Sequence, residues 1–150
     1  MKYYFENLEE QKKLKIILEE WRGTPWRHHC GVKGLGTDCI HFVGMVLKEM
    51  NLIKWRKGMV PDYPADWHLH NTRELLKDAL EKEVRGEFVG TSNFMNGDIV
   101  LYHFGKASSH AAIYFDGYVY QALTGLGVKK INIKTKILDG KIKFNYRVLA

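Results

Sequence analysis

The feature that most constrains this 150-residue chain is a glycine turn that opens into an amphipathic helix between Gly34 and Met50. Apolar residues recur in this segment at helical spacing, at Ile40, Val43, Leu47 and Met50. A helix patterned in this way buries one face, so the rest of the chain must supply a core against which that face packs.

A cysteine stands at the opening of this helix. Gly34 and Gly36 allow the positive φ of a sharp entry, and Thr37 or Asp38 is suited to cap the first turn. The unpaired amides and the positive dipole end at a helix start favour a thiolate, so this position predicts a lowered pKa for Cys39. A small buried hydrophobic role for Cys39 fits the same pattern equally well.

Length and composition predict one domain that covers residues 1–150, since 45% of the residues are apolar and can form a core. No apolar run reaches the roughly 20 residues that span a bilayer, and the first residues lack the apolar centre of a secretion signal. We therefore expect synthesis in the cytoplasm and no membrane partner. The net charge of +6 suits an anionic partner such as a cell-wall polymer. No arginine cluster with interleaved aromatic residues occurs, so no nucleic-acid partner is predicted.

The cysteine and histidine content argues against a metal site. Cys30 and Cys39 are the two cysteines of the chain, too few for a disulfide framework or a four-thiolate zinc site. The histidine pairs at 28–29 and 68–70 lack matching ligands at zinc-like spacing. The sequence therefore predicts no cofactor and no metal.

The order of predicted elements indicates an α+β domain, with N-terminal helices packed on an antiparallel sheet and the cysteine at a helix N-terminus. Further helices are predicted from about Asn7 to Trp21 and from Asn71 to about Val84, where Leu75, Leu76, Ala79 and Leu80 would face inward. After Gly86 the chain becomes rich in β-formers and turn residues. Five strands are predicted there: Asp98–Phe104, Ser109–Phe115, Tyr118–Leu123, Val128–Ile133 and Lys141–Leu149.

A polar pair is predicted within the sheet. His110 begins a strand whose next residues are apolar, and a tight turn at Asp116-Gly117 returns the chain so that Gln121 lies near it. Together with Cys39, these residues supply a nucleophile, a base and an orienting amide for thiol acyl transfer.

Several segments in chain order resemble the motifs of NlpC-type cysteine peptidases. These segments are residues 21–26, 38–39, 97–102, 109–114 and 120–122. The resemblance implies a papain-like α+β fold and hydrolysis of the stem-peptide amide bond that follows D-glutamate in peptidoglycan. It also implies that Cys39, His110 and Gln121 are the catalytic residues.

The candidate substrate contacts are Trp26, Asp38 and Ser109. Each has a structural alternative: packing for Trp26, helix capping for Asp38 and satisfaction of a strand end for Ser109. The family most often carries tyrosine at position 26, serine at 40 and histidine at 121, where this chain has tryptophan, isoleucine and glutamine. His41 lies two residues past the cysteine and points to another side of the helix, which favours a structural or exposed role.

Two segments are more similar to the branch of this family found in bacteriophage tails and prophages, residues 27–29 and 62–67. That similarity implies phage-tail proteins as partners and assembly into a tail or virion. Two rival functions remain. One is another thiol amidase or acyltransferase on the same fold, and the other is a catalytically silent tail-tip or wall-binding protein.

Overall fold

The computed structural model describes residues 1–60, 74–103, 108–135 and 140–150. Within them, a 3₁₀ turn at Tyr4–Glu6 precedes three α-helices, which are α1 Leu8–Trp21, α2 Cys39–Glu49 and α3 Leu75–Glu83. The described strands are β1 Gly31–Val32, β2 Gly36–Thr37, β3 Gly86–Val89, β4 Ile99–His103, β5 Ser108–Phe115, β6 Tyr118–Leu123, β7 Gly127–Asn132 and β8 Ile142–Val148.

One six-stranded antiparallel sheet forms the centre of the fold, with the strand order β3-β8-β4-β5-β6-β7. A single core cluster joins the buried residues of the three helices to alternate residues of the central strands, such as Leu101 on β4 and Ala111 on β5. Strands β1 and β2 form a separate two-stranded hairpin just before α2. This arrangement confirms the α+β prediction.

Helix α1 packs beside α2 because both helices bury regularly spaced apolar residues. The Asn7 side chain caps α1 by accepting the backbone N–H of Glu9 at 2.9 Å. Leu14, Leu18 and Trp21 are buried at four- and three-residue spacing along one face. At the end of α1 the Trp21 indole N–H donates to the Glu49 carboxylate on α2 at 2.7 Å, which fixes the two helices relative to each other.

Helix α2 is the helix that the glycine turn predicts. Of the two candidate caps, Asp38 caps it, since its side chain accepts the backbone N–H of His41. Gly34 has the expected positive φ of 81°. Gly36 does not have a positive φ, and a Cβ there would lie 2.9 Å from the Arg27 Cβ, so Gly36 serves close packing of two chain segments instead.

The hairpin of β5 and β6 is set by its turn. Asp116 and Gly117 have φ values of 48° and 88°, the positive values that a type I′ turn requires. Ile113 then pairs with Tyr120, and this register brings the start of β5 alongside the end of β6. On the other side of β5, the pairing with β4 is irregular at Tyr102/His103, next to the Tyr102–His110 pair.

A buried aspartate anchors the start of β4. Asp98 is 1% exposed and accepts hydrogen bonds from the Arg147 guanidinium at 2.9 and 2.8 Å and from the Asn145 amide at 3.0 Å. Gly97, which has a φ of 91°, precedes it, and a Cβ at this position would lie 2.1 Å from the Phe5 ring. The Gly97-Asp98 motif therefore locks β4 against β8 and the N-terminal turn.

Several predicted boundaries differ from the structure. The sequence pattern does not predict strands β1, β2 and β3, because two-residue bridges and a short edge strand beginning at Gly86 carry too few residues to show alternation. Helix α3 begins at Leu75, and its predicted start at Asn71 lies outside the described residues. The prediction for Ala79 was wrong: it is exposed, while Leu76 and Leu80 carry the buried face.

Among the helices of the described residues, none combines the length and the apolarity needed to cross a bilayer.

Candidate active site

Cys39 is the first residue of α2, and its thiol lies beside strand β5. The backbone N–H groups of Ala111, Ile40 and Cys39 itself stabilise the sulfur as a thiolate, and Ala111 directly follows His110 on β5. The start of α2 and the start of β5 therefore bring the cysteine and the histidine to the same point of the fold.

The thiol is protonated at rest, which corrects the prediction of a lowered pKa. Burial, and to a smaller extent the negative charge of Asp38, together raise the pKa of Cys39 to about 12 against the opposing effect of the backbone N–H groups. The helix start does act in the predicted direction, but the burial of this half-buried cysteine has the larger effect. The sequence shows the amides at the helix start and does not show the burial.

His110 is held by Gln121, as the hairpin register predicts. The distance from His110 Nε2 to Gln121 Oε1 is 2.6 Å, and the two side chains are 9% and 0% exposed. An amide oxygen only accepts hydrogen bonds, so Nε2 carries the hydrogen and the neutral ring keeps the Nδ1 lone pair for use as a base.

The imidazole of His110 is neutral at neutral pH. Burial lowers its pKa to about 4, although the hydrogen bond to Gln121 acts in the opposite direction. A neutral imidazole and a neutral thiol are therefore the resting forms of the pair. This state suits a general base that takes the thiol proton during attack, in place of a preformed ion pair.

Asp38 is committed to contacts within the protein. Its Oδ1 accepts the His41 backbone N–H at 2.8 Å and lies 2.8 Å from His41 Nδ1, while its Oδ2 accepts the His29 N–H at 2.7 Å. Burial alone would raise the pKa of this carboxyl, but the hydrogen bonds from His41 and His29 outweigh it and the net pKa is lowered. The capping alternative thus describes what Asp38 does in the free protein.

His41 has the structural role that its helix position favoured, and it is not exposed. The ring is 7% exposed and lies on Asp38, three residues before it and on the same face of the helix turn. Sequence reasoning gave this residue no part in the site. The spacing of three residues from the helix cap was the signal that it would reach Asp38.

Of the other predicted substrate contacts, the structure places Trp26 near the cysteine. Trp26 is half-buried and forms a β-bridge with Thr37, two residues before Cys39, so the loop delivers it to the site as predicted. Its indole stacks on His28 with ring centroids 6.3 Å apart. Ser109 falls on β5, but its side chain is outside the described part of the chain.

The histidine pairs and the second cysteine take part in other contacts. His28 and His29 contact each other and the site residues described above, whereas the pair at 68–70 lies outside the described residues. Within the described ranges, no group of three or more His, Cys, Asp and Glu side chains is placed to hold a metal ion. Cys30 is half-buried, and its carbonyl accepts the Asp38 N–H at 3.1 Å.

Comparison with known proteins places the chain in a family. The NlpC/P60 family matches residues 23–142, so the chain belongs to that family. Comparison with curated protein sequences gave no match.

The solved structures that share the fold include two NlpC/P60-family proteins. One is an NLP/P60-family protein, described as similar to a lipoprotein, from Staphylococcus aureus subsp. aureus Mu50, with a TM-score of 0.66 and 14% identity over 96% of this chain and 43% of that chain. The other is an NlpC/P60 family protein from Bacillus cereus ATCC 10987, with a TM-score of 0.65 and 19% identity over 93% of this chain and 40% of that chain. This chain thus spans less than half the length of either protein.

Proposed function

We propose that this chain is a cysteine peptidase that hydrolyses the γ-D-glutamyl amide bond of peptidoglycan stem peptides. Membership of the NlpC/P60 family supports a cell-wall peptidase in general. The observation that carries the proposal is the meeting of the Cys39 thiol with the start of β5, where Gln121 holds His110 in the tautomer of a base.

In the proposed mechanism, the Cys39 sulfur attacks the substrate carbonyl carbon while His110 Nδ1 removes the thiol proton. Because both groups are neutral at rest, proton transfer accompanies the formation of the sulfur–carbon bond. Negative charge moves to the carbonyl oxygen, where the Cys39 backbone N–H at the start of α2 contributes to an oxyanion site.

The second half of the reaction returns the proton. Protonated His110 gives its proton to the leaving amine as the carbon–nitrogen bond breaks, which leaves a thioester on Cys39. His110 then removes a proton from water, the hydroxyl oxygen attacks the thioester, and the sulfur leaves and regains a proton. Gln121 carries no charge, so it orients the ring without stabilising the imidazolium as a carboxylate would.

Phage-tail assembly is a separate proposal, with tail proteins as partners and a virion as the final location. It rests on the sequence motif at residues 27–29, since the second motif at 62–67 lies outside the described residues. Co-purification of the chain with intact tails from a phage or prophage that encodes it tests this proposal. Its absence from washed particles would count against the assignment.

The central experiment is digestion of purified peptidoglycan followed by mass spectrometry of the released peptides. We expect fragments that end in D-glutamate, and a loss of at least about 10³-fold in rate for Cys39→Ala, since it removes the nucleophile. Cys30→Ala is the matched control and keeps most of the activity.

Three other outcomes would contradict the proposal in different ways. Equal losses in the two cysteine variants would reject Cys39 as the nucleophile. Cleavage between the glycan and its peptide would identify an amidase. No cleavage of any wall by the folded wild-type protein would favour the catalytically silent alternative.

A further inference from the structure

His110 has a second close neighbour, on the strand opposite the one that carries Gln121. Strand β5 lies between β4 and β6, and Tyr102 on β4 pairs directly with His110 in the register of β4 and β5. Residues paired in this way carry their side chains on the same face of the sheet. The two rings form an aromatic pair, with centroids 5.9 Å apart and planes tilted by 45°. The imidazole is therefore flanked by β6 on one side and by β4 on the other.

Tyr102 is fixed in place as a core residue is. It is 0% exposed and packs in a buried cluster with Val100, Ala112 and Val119. The pairing of β4 with β5 shifts directly after it, so Tyr102 and His110 form the last regular pair before the irregularity. Irregularities of this kind redirect the side chains around them and are common next to active sites.

The hydrogen bond to Gln121 constrains one atom of the His110 ring. It holds Nε2 at 2.6 Å from the amide oxygen, and it leaves the ring able to tilt about the direction of the bond. Such a tilt moves Nδ1, the atom that takes the thiol proton in the proposed mechanism. A second ring packed against the imidazole restricts this tilt, and Tyr102 is placed to do so.

We propose that Tyr102 is a positioning residue for His110, whose ring fixes the tilt of the imidazole so that Nδ1 faces the Cys39 thiol. This inference rests on the proposed function and deepens it. Gln121 selects the tautomer through a hydrogen bond, whereas Tyr102 sets the plane of the ring through packing. The role belongs to the aromatic ring of Tyr102 and does not need its hydroxyl group.

The same ring helps to exclude water from the imidazole. Burial, and not a neighbouring charge, lowers the pKa of His110 to about 4. The titratable groups on the other elements around it are Cys39 and Asp38 at the start of α2 and Lys129, which pairs with β6 from β7. A variant that removes only the Tyr102 ring leaves these groups in place. It should therefore raise the pKa of His110 towards the ordinary value of 6.5 through loss of burial.

Kinetics on one defined stem peptide test the inference. Tyr102→Phe keeps the ring and nearly the same volume, so kcat/KM should stay within about 3-fold of the wild type. Tyr102→Leu removes the ring, and kcat should fall by about 10- to 100-fold with KM nearly unchanged, as expected for a misplaced catalytic group. The acid limb of kcat/KM should also move to higher pH in Tyr102→Leu, because this limb reports the pKa of the base in the free enzyme.

Tyr146→Leu is the matched control. It makes the same change at a tyrosine that is 2% exposed and packs on Phe88, away from His110. Circular dichroism shows whether each variant folds. If Tyr102→Leu does not fold, Tyr102→Met takes its place, since methionine adapts to irregular core spaces.

Nitrogen-15 NMR of the His110 ring separates this inference from the proposed function, because it needs no cleavage. With its signals assigned by their loss in His110→Gln, the ring should titrate at a higher pH in Tyr102→Leu than in the wild type or Tyr102→Phe. That result supports the positioning role even if no peptide is cleaved. An unchanged titration and unchanged kcat in Tyr102→Leu would overturn the inference. So would equal losses in Tyr102→Phe or in Tyr146→Leu, and each of these outcomes leaves the peptidase proposal intact.

Discussion

Two buried histidines in this protein lie on acceptors of different charge. His110 contacts the neutral amide of Gln121 at 2.6 Å, and His41 contacts the carboxylate of Asp38 at 2.8 Å. Both rings are buried to a similar degree, at 9% and 7% exposure. The acceptors, and not the burial, distinguish the two pairs.

The charge of the acceptor indicates which of the two pairs is suited to move a proton. A neutral acceptor orients His110 and leaves its basicity under the control of burial, which keeps the ring unprotonated and ready to accept the thiol proton. Asp38 also caps α2 and accepts the His29 N–H, so its pair with His41 is part of the local structure. We therefore expect His110 to act in catalysis and His41 to hold the site together.

The largest effect on kcat/KM is expected when the histidines of the two pairs are replaced one at a time. His110→Ala removes the base and should lower kcat/KM by about 10³- to 10⁴-fold, within the range for a general acid–base residue. His41→Asn keeps a donor for Asp38 and should cost less than about 10-fold. Steady-state kinetics on one defined stem peptide, with circular dichroism to show folding, checks both values. Equal losses of kcat/KM in the two variants would mean that the charge of the acceptor does not distinguish a catalytic histidine from a structural one.

A smaller effect is expected when the orienting amide is changed. Gln121→Ala leaves Cys39 and His110 in place but lets the ring adopt other tautomers, so we expect a loss of about 10- to 1,000-fold. Gln121→His should retain more activity than Gln121→Ala, since a neutral imidazole offers a ring nitrogen as acceptor for the same N–H. The comparison of kcat/KM for the two folded variants decides this. Wild-type activity in Gln121→Ala would show that Gln121 is a packed strand residue with no orienting role.

The smallest effect is on stability, and the two pairs should show it in different pH ranges. The ordinary pKa of histidine is 6.5 and burial lowers that of His110 to about 4, so between these values the unfolded chain binds a proton that the folded chain does not. Stability therefore falls as the pH falls through this window, by up to about 1.4 kcal/mol per pH unit. The contribution of Asp38, whose pKa is lowered from 3.8, is present above that value and is lost as the pH falls below it.

Urea unfolding at a series of pH values measures these contributions. His110→Gln should flatten the pH dependence between 6.5 and 4, and Asp38→Asn should flatten it below about 4. An unchanged slope in His110→Gln would show that the folded imidazole keeps its ordinary pKa.

Local chain geometry explains why the His110–Gln121 pair was predictable. A type I′ turn at Asp116-Gly117 fixes the register of two strands, and the register carries both residues to one place. The Asp38–His41 contact needed only helix spacing and a cap. Both relations depend on residues that are close in sequence, so they can be read without knowledge of the fold.

The recess lined by two separate loops and the short strands could not be read in this way. Lys57 and His29 reach one recess through a loop after α2 and a loop before it, and no local pattern links them. Strand β3 pairs with β8, which is more than fifty residues away along the chain. Long-range pairs of this kind form only when the tertiary structure closes the intervening chain.

The position of Cys39 follows from local sequence, because glycines, a capping aspartate and apolar spacing specify the start of α2. The protonation state of that cysteine depends instead on how the chain folds around it. The helix start favours the thiolate, and that preference depends on residues next to Cys39. Burial of the half-buried Cys39 depends on segments such as β5 that pack against it, and it raises the pKa to about 12, so the larger of the two effects comes from parts of the chain distant in sequence.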